Sequence, residues 1–296
     1  MPAKVISGTQ VAAEIREELK GRVTKLKEKG ITPALAVVLV GEDPASISYV
    51  TAKAKGSEEI GMHEETIRLP ADTPEEKVLE TVNKLNTDPK FHGVLVQLPL
   101  PKHIDTEKVI NYISPEKDVD GFHPVNVGKA LRGEPCPLPC TAHGVQQMLI
   151  RSGYDPAGKH VVICGRSNIV GKPLAAILMQ KKKGANATVT VCHTGTKDMA
   201  SFSRQADIVV AAMGVPKAVT ADMVKDGAIV IDVGVNRVED KTREKGFRLV
   251  GDADFDAIKE KAEAITPVPG GVGPMTVTML LMNTVEAAET KAGITS

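Results

Sequence analysis

The sequence predicts an α/β protein of two domains, and three observations carry that prediction. Continuous apolar runs, such as LAVVLV from Leu35 to Val40, alternate with segments whose apolar residues recur at helical spacing. Such runs suit strands buried on both faces of a parallel sheet. The alternation resumes after RGEPCPLPC, Arg132 to Cys140, where three prolines in nine residues make a stiff connector and a domain boundary.

In the first half, Val11, Ile15, Leu19, Val23 and Leu26 lie on one helical face of Val11 to Lys29, and Gly30 ends that helix. After the Leu35 to Val40 strand, Asp43-Pro44 supplies an N-cap and a first-turn proline for a helix that runs to Glu59 and stops at Gly61. Thr66 to Leu69 reads as a short strand, Pro74 to Leu85 as a helix, and GVLVQL, Gly93 to Leu98, as a buried strand. This βαβαβ order implies parallel strands with right-handed crossovers.

In the second half, helix Thr141 to Arg151 leads to strand His160 to Cys164, helix Lys172 to Lys182 and strand Thr188 to Cys192. Strands Asp207 to Ala212, Ala228 to Val233 and Leu249 to Gly251 follow. A Pro/Gly-rich stretch, ITPVPGGVGP, precedes an amphipathic last helix, Met275 to Lys291.

Composition narrows the function. The 37 basic and 37 acidic side chains balance, which argues against a nucleic-acid or membrane-surface role. With no Trp, three Tyr and five Phe, a base-stacking platform is not expected either. No signal peptide or membrane span is apparent, so the expected compartment is the cytoplasm. Cys136, Cys140, Cys164 and Cys192 fit a reducing environment. Cys136 and Cys140 could be half a zinc site, but no second pair stands at matching spacing, and no metal is expected.

The strongest nucleotide signal is VVICGRSNIVGKPL, Val161 to Leu174, in which a β-branched strand runs into Gly165 and a helix begins near Gly171. The free N–H groups of such a helix start can hold a pyrophosphate. The glycine spacing departs from G-x-G-x-x-G, and a plain strand–turn–helix corner would look similar. The next strand ends in Cys192-His193-Thr194-Gly195, without the acid that grips the ribose in NAD sites. Arg166, which could also be an ordinary surface arginine, can meet a 2′-phosphate bidentately, so the expected cofactor is NADP rather than NAD. His193 could be no more than a strand-end residue.

A chemical site is expected in the first domain. Tyr49 and Lys53 stand four apart on one helix face, which in isolation would describe a surface pair. Gln97 interrupts an apolar strand near its C-terminal end, where open α/β sheets bind ligands, and a buried amide must be hydrogen-bonded. In PEKDVDG, Pro115 to Gly121, a solvated turn accounts for Glu116 and Asp118, while Asp120 could reach into a cleft. A lysine beside a buried glutamine can act as general acid and base if desolvation lowers its pKa. The residues by themselves thus reach an NADP-linked enzyme with a lysine-containing cleft.

Seven blocks then identify a resemblance. YVTAKAK (Tyr49 to Lys55), GVLVQLPLP (Gly93 to Pro101), PEKDVDGFHPVNVG (Pro115 to Gly128), PCTAHG (Pro139 to Gly144), GRSNIVGKP (Gly165 to Pro173), IDVGVN (Ile231 to Asn236) and TPVPGGVGPMT (Thr266 to Thr276) occur in that order. The chain resembles, from about Val5 to about Thr290, the FolD family of methylene-tetrahydrofolate dehydrogenase/cyclohydrolases. The resemblance implies a tetrahydrofolate-binding catalytic domain of residues 1–140 plus 275–296, completed by the returning C-terminal helix. It implies a Rossmann-type NADP-binding domain of residues 141–274, and a homodimer. Lys53 would be catalytic and aligned by Tyr49, Gln97 would bond to Lys53, and Asp120 would grip the pterin. Val96, Leu98 and the segment Pro269, Gly270, Gly271, Val272 and Gly273 would line the folate pocket. Gly165, Arg166, Ser167, Thr194 and Val235 would hold NADP. Two departures stand out: Thr194 replaces a usual serine but keeps a hydroxyl, and Ala142 replaces a frequent proline. The alternatives are an NADP-dependent dehydrogenase of a small hydroxy acid and a non-catalytic dinucleotide sensor. The first would not need Tyr49, Gln97 and Pro269 to Gly273 together, and the second would be expected to lose Lys53 or Gln97.

Overall fold

A computed structural model describes residues 2–243 and 246–294. The chain forms two compact units, Met1–Ala12 with Thr141–Thr276, and Ala13–Cys140 with Val277–Ser296. The first residues therefore differ from expectation: β1 (Lys4–Val5) pairs in parallel with a strand of the second sheet, Lys4 opposite Ala264 and Val5 opposite Ile265. Two residues form no sheet alone, and their partner lies about 260 positions away in sequence, so local pattern could not place them.

The unit that contains Lys53 begins within α1 (Gly8–Glu28), whose Ile15, Leu19, Val23 and Leu26 are buried as the periodicity requires. Next come β2 (Ala34–Val40), α2 (Pro44–Ile60), β3 (His63–Leu69), α3 (Glu75–Thr87), β4 (Gly93–Val96), α4 (Thr106–Tyr112) and α5 (Pro124–Arg132). The sheet is parallel in the order β3-β2-β4, with Val38 opposite both Ile67 and Val96. Apolar on every residue, β2 occupies the middle, and Val38, Val78, Val82, Val94 and Val109 build the core on one face. Asp43 caps α2 by accepting from the Ser46 N–H at 2.8 Å, and Gly61 closes it at φ 79°. The Gly93 to Leu98 strand ends early, at Val96, which leaves Gln97 and Leu98 just beyond the sheet.

In the second unit, α6 (Cys140–Arg151) is followed by β5 (His160–Cys164), α7 (Gly171–Leu178), β6 (Thr188–Cys192), α8 (Met199–Ser203), β7 (Ile208–Ala211) and β8 (Ile229–Asp232). Then come β9 (Asn236–Glu239), β10 (Phe247–Val250), α9 (Phe255–Lys259), β11 (Ala264–Ile265) and α10 (Val272–Lys291). Six strands form one parallel sheet, β1-β11-β8-β7-β5-β6, over a core that includes Val162, Val209, Val230 and Ile265. The chain passes from β5 to β6 on one side and returns to β7 on the other, so the strand order reverses at β5. The strand expected at Leu249 to Gly251 is instead β10, paired antiparallel with β9 in a separate hairpin.

The last helix starts three residues before the expected Met275. It is also not amphipathic: Val277 to Val285 is buried all round, which is the behaviour of an internal helix. The part from Val277 onward belongs to the Lys53 unit. A Cβ on Gly56 would stand 3.1 Å from Leu281 Cδ1, so this glycine lets α2 and α10 approach.

Candidate active site

Lys53 lies on the buried side of α2, 8% exposed, and its Nζ donates to Gln97 Oε1 at 2.9 Å. Gln97 is 9% exposed, and its Nε2 donates to the Leu98 carbonyl at 2.7 Å. That second bond fixes which end of the amide faces the lysine. The Gln97 N–H donates to Val38 O at 2.8 Å, so the residue hangs from the central strand. Val96 is buried at the end of β4, and the Leu98–Pro99 peptide is cis. Burial pushes the Lys53 ammonium below its ordinary pKa, and the Asp120 and Cys140 side chains oppose that shift without cancelling it. The hydrogen bond of Lys53 runs to Gln97 and not to Tyr49, which sits one turn earlier on α2 and is 47% exposed.

Asp120 follows the buried Val119. Burial lifts its carboxyl to about 6, the Lys53 charge pulls it back, and Asp118 pushes it further up. Asp118 differs from the expectation of a solvated turn, since it is 2% exposed. It accepts from the Gly121, Phe122 and His123 N–H groups and from Asn126 Nδ2, at 3.1, 3.3, 2.8 and 2.9 Å. One carboxylate thus ties the whole turn, and Gly121, at φ 75°, permits its bend. Asn283 of α10 braces the same loop, donating through Nδ2 to Val119 O at 2.8 Å and Leu138 O at 2.9 Å. The Cys140 thiol also donates to Val119 O, at 3.3 Å. Sequence reasoning passed over Asn126 and Asn283 and considered Cys140 only as half of a zinc site. The available signal was a lone Asn inside an apolar helix, which must be bonded to something.

The second unit carries the glycine turn where expected. Gly165 stands at φ 136°, and a Cβ there would collide with the Ala212 carbonyl. A Cβ on Gly171 would collide with the Gly165 carbonyl. Strand end, turn and helix start are therefore packed backbone against backbone, with Arg166, Ser167, Asn168 and Ile169 exposed on the rim. The residue before α7 is Val170, which offers no side-chain cap, and the Lys172 N–H donates to the Ser167 carbonyl at 3.1 Å. Ser167 Oγ accepts from the Val170 N–H at 3.1 Å. The turn sits at β5, where the strand order reverses and open α/β sheets take their ligands. Thr194 is exposed just after β6, and Val235 is 49% exposed just after β8. His193 serves its own loop: Nδ1 accepts from the Gly195 N–H at 3.0 Å.

Pro269 to Gly273 lies in this second unit, not in the Lys53 unit. The Val268–Pro269 peptide is cis, Gly270 stands at φ 97°, and the Thr9 N–H donates to Gly270 O at 3.1 Å. Val272 and Gly273 form the first turn of α10, Val272 buried and Gly273 exposed. Gly8 passes so close to the Gly271 carbonyl that no Cβ could stand there.

Comparison with known proteins matches both units. Residues 6–120 match the family model for the tetrahydrofolate dehydrogenase/cyclohydrolase catalytic domain, and residues 139–292 match that for its NAD(P)-binding domain. The chain is 58% identical over 295 residues to the bifunctional protein FolD of Dehalococcoides mccartyi strain CBDB1, covering 99% of each. It superposes on the FolD methylenetetrahydrofolate dehydrogenase/cyclohydrolase of Campylobacter jejuni with a TM-score of 0.92 at 46% identity, covering 98% of this chain and 99% of that one. The corresponding enzyme of Trypanosoma brucei, solved with NADP and an inhibitor, gives a TM-score of 0.92 at 42% identity over 99% of both chains. With both of its units matched and its whole length covered, the chain belongs to the tetrahydrofolate dehydrogenase/cyclohydrolase family.

Proposed function

We propose that this enzyme oxidises 5,10-methylene-tetrahydrofolate to the 5,10-methenyl compound with NADP, and then hydrolyses that product to 10-formyl-tetrahydrofolate, with Lys53 as the acid–base group. The observation that carries the assignment is the buried Lys53–Gln97 pair. The lysine's pKa is depressed by burial, and its amine is aimed by an amide whose orientation is fixed at both ends. The hydroxy-acid dehydrogenase alternative is not favoured by the family match, which covers both domains of the folate enzyme.

When bound, NADP supplies the hydride acceptor. Gly165, Arg166 and Ser167 would hold its phosphates at the start of α7, with Thr194 and Val235 completing the cradle. The glycine packing fits this, because side chains at Gly165 or Gly171 would strike neighbouring backbone carbonyls and push the turn and helix start apart. Arg166, exposed on the rim, would take the 2′-phosphate.

In the first reaction the folate nitrogen lone pair drives hydride from the methylene carbon, so no strong base is required. Asp120, ionised, would accept from the pterin amino and ring N–H groups and hold the carbon in place. Val96 and Leu98 would give the folate a wall within the Lys53 unit. In the second reaction neutral Lys53 takes a proton as water adds to the methenyl carbon. The resulting ammonium returns that proton to the ring nitrogen as its bond to carbon breaks. One proton is released to solvent as the formyl C=O forms. Gln97 holds the amine on line throughout, and Tyr49, exposed one turn away, would face the substrate rather than align the lysine.

We also propose that the enzyme is a cytoplasmic homodimer, a reading that rests on the family and on cysteines that form no disulfide among the described residues. Ile177 and Leu178 are buried within the chain and so offer a partner no apolar surface. No helix among the described residues is long and apolar enough to cross a membrane. A spectrophotometric assay with methylene-tetrahydrofolate tests the assignment. Methenyl product should form with NADP and more slowly with NAD, and turnover of a small hydroxy acid in its place would overturn it.

A further inference from the structure

Two fully engulfed carboxylates stand beyond the ends of β7 and β8, and the chemistry above uses neither. Asp232 is 3% exposed and accepts from the Gly234, Asp252 and Ala253 N–H groups at 3.0, 2.9 and 2.8 Å. Asp252 is 0% exposed. Its Oδ2 accepts from the Met213 and Gly214 N–H groups at 2.5 and 2.7 Å, and its Oδ1 accepts from Asn236 Nδ2 at 2.8 Å. Neighbouring glycines make room: a Cβ on Gly234 would strike the Asp252 carboxyl, and one on Gly251 would strike that of Asp232.

The connectivity is specific. Met213 and Gly214 form the loop after β7, the strand that flanks the reversal at β5. Asn236 is the first residue of β9 and directly follows Val235, the last residue of the loop after β8. Asp252 bonds the loop after β7 with one oxygen and, with the other, the residue that ends the loop after β8. Every one of its contacts is a donor, so only a carboxylate can satisfy both sides. An amide would present its NH2 group either to the two backbone N–H groups or to the Asn236 NH2 group.

We infer that Asp252 is a positioning residue for dinucleotide binding: it locks the loop after β7 to the loop after β8 and thereby sets where Val235 stands. This inference rests on the cofactor site proposed above.

The test is Asp252→Asn, measured in both reactions. The hydrolysis of methenyl-tetrahydrofolate consumes no dinucleotide and so reports whether the fold survives. The KM for NADP should rise about tenfold, the scale of a buried donor left unpaired. The kcat at saturating NADP and the cyclohydrolase rate should stay within about threefold. Asp252→Asn combined with Asn236→Asp exchanges donor and acceptor across the pair, and should return the KM to within about threefold of wild type. An unchanged KM in Asp252→Asn, an increase that the double variant fails to reverse, or a parallel fall in cyclohydrolase would each overturn the inference. If Asp252→Asn does not yield folded protein, Asn236→Leu cuts the link beside Val235, together with a 3.4 Å bond to Val250 O in the adjoining hairpin, and should raise the KM alone; an unchanged KM there overturns it too. Arg166→Ala separates the two readings. If that variant leaves NADP binding intact, the cofactor site itself is misassigned; if it weakens binding and Asp252→Asn does not, only the present inference fails.

Discussion

Lowering the pH should switch this enzyme off without unfolding it. The Asp120 carboxyl titrates at about 6, and it must be ionised to accept two hydrogen bonds from the pterin. At pH 5 about one-tenth remains ionised, so kcat/KM should fall about tenfold from its plateau in both reactions. Stability moves differently. The raised pKa values of Asp120 and Asp232, both about 6, mean that protonation favours the folded state. Their stabilisation is fully present below the unfolded value and is lost as pH rises through 6. Between the plateau and pH 5 each regains about 1.4 kcal/mol. His92 and His143 are held neutral by burial, with pKa values lowered to about 4, so their contribution is present above 6.5 and is lost as pH falls toward 4. At pH 5 each has given up about 2 kcal/mol. The four effects nearly cancel, leaving a net loss of about 1 kcal/mol, which a domain of ordinary stability tolerates. The assay is kcat/KM against pH for each activity, with circular dichroism on the same samples. Asp120→Asn should be weak in both reactions by about 2–4 kcal/mol and should lack the limb near 6 in hydride transfer, which needs no base. The reasoning is refuted if that limb persists in the dehydrogenase activity of Asp120→Asn, or if the dichroism is lost along with the activity.

Three further outcomes follow from the same geometry. Arg166→Ala should weaken NADP by about 2–3 kcal/mol, as for a truncated charge-assisted pair, and NAD much less; equal losses for both would remove Arg166 from the 2′-phosphate. Gly171→Ala forces a methyl group onto the Gly165 carbonyl, so it should cost about 1–3 kcal/mol in stability and most of the NADP affinity, while full NADP binding would show that the turn is not the cradle. Light scattering at micromolar protein should give a dimer of C2 symmetry, and a mass near the 31.4 kDa of one chain would contradict the proposed homodimer.

Much of the molecule was legible in its sequence for definite reasons. Leu35 to Val40 is apolar on every residue, which suits a strand buried on both faces, and Asp43-Pro44 carries its own helix start. Gln97 announced itself as a polar side chain in an apolar strand, and the structure bonds it on both ends. The failures have equally definite causes. β1 is two residues whose only reason to be a strand is a partner far along the chain. β10 looked like one more parallel strand because pairing direction leaves no mark on a run of four residues. Asn283, Thr284 and Glu289 make the last helix look amphipathic in sequence, yet all three are buried and two are bonded outside the helix. A carboxylate in a turn usually faces solvent, and no local signal foretells that three N–H groups converge on Asp118.

The central claim is that Lys53 is the acid–base group of the hydrolysis and is dispensable to hydride transfer. Lys53→Met keeps the length and apolar stem of the side chain and removes the amine. General acid–base help is worth roughly 10²–10⁴ in rate, and the loss should lie in the upper part of that range because the same amine takes and returns the proton. Methenyl-tetrahydrofolate is followed by its absorbance after methylene-tetrahydrofolate and NADP are mixed with the variant. The account predicts that the methenyl signal rises, more slowly than in wild type, and then persists. A signal that rises and decays at near wild-type rate would show that another group activates the water, and the site would have to be reassigned.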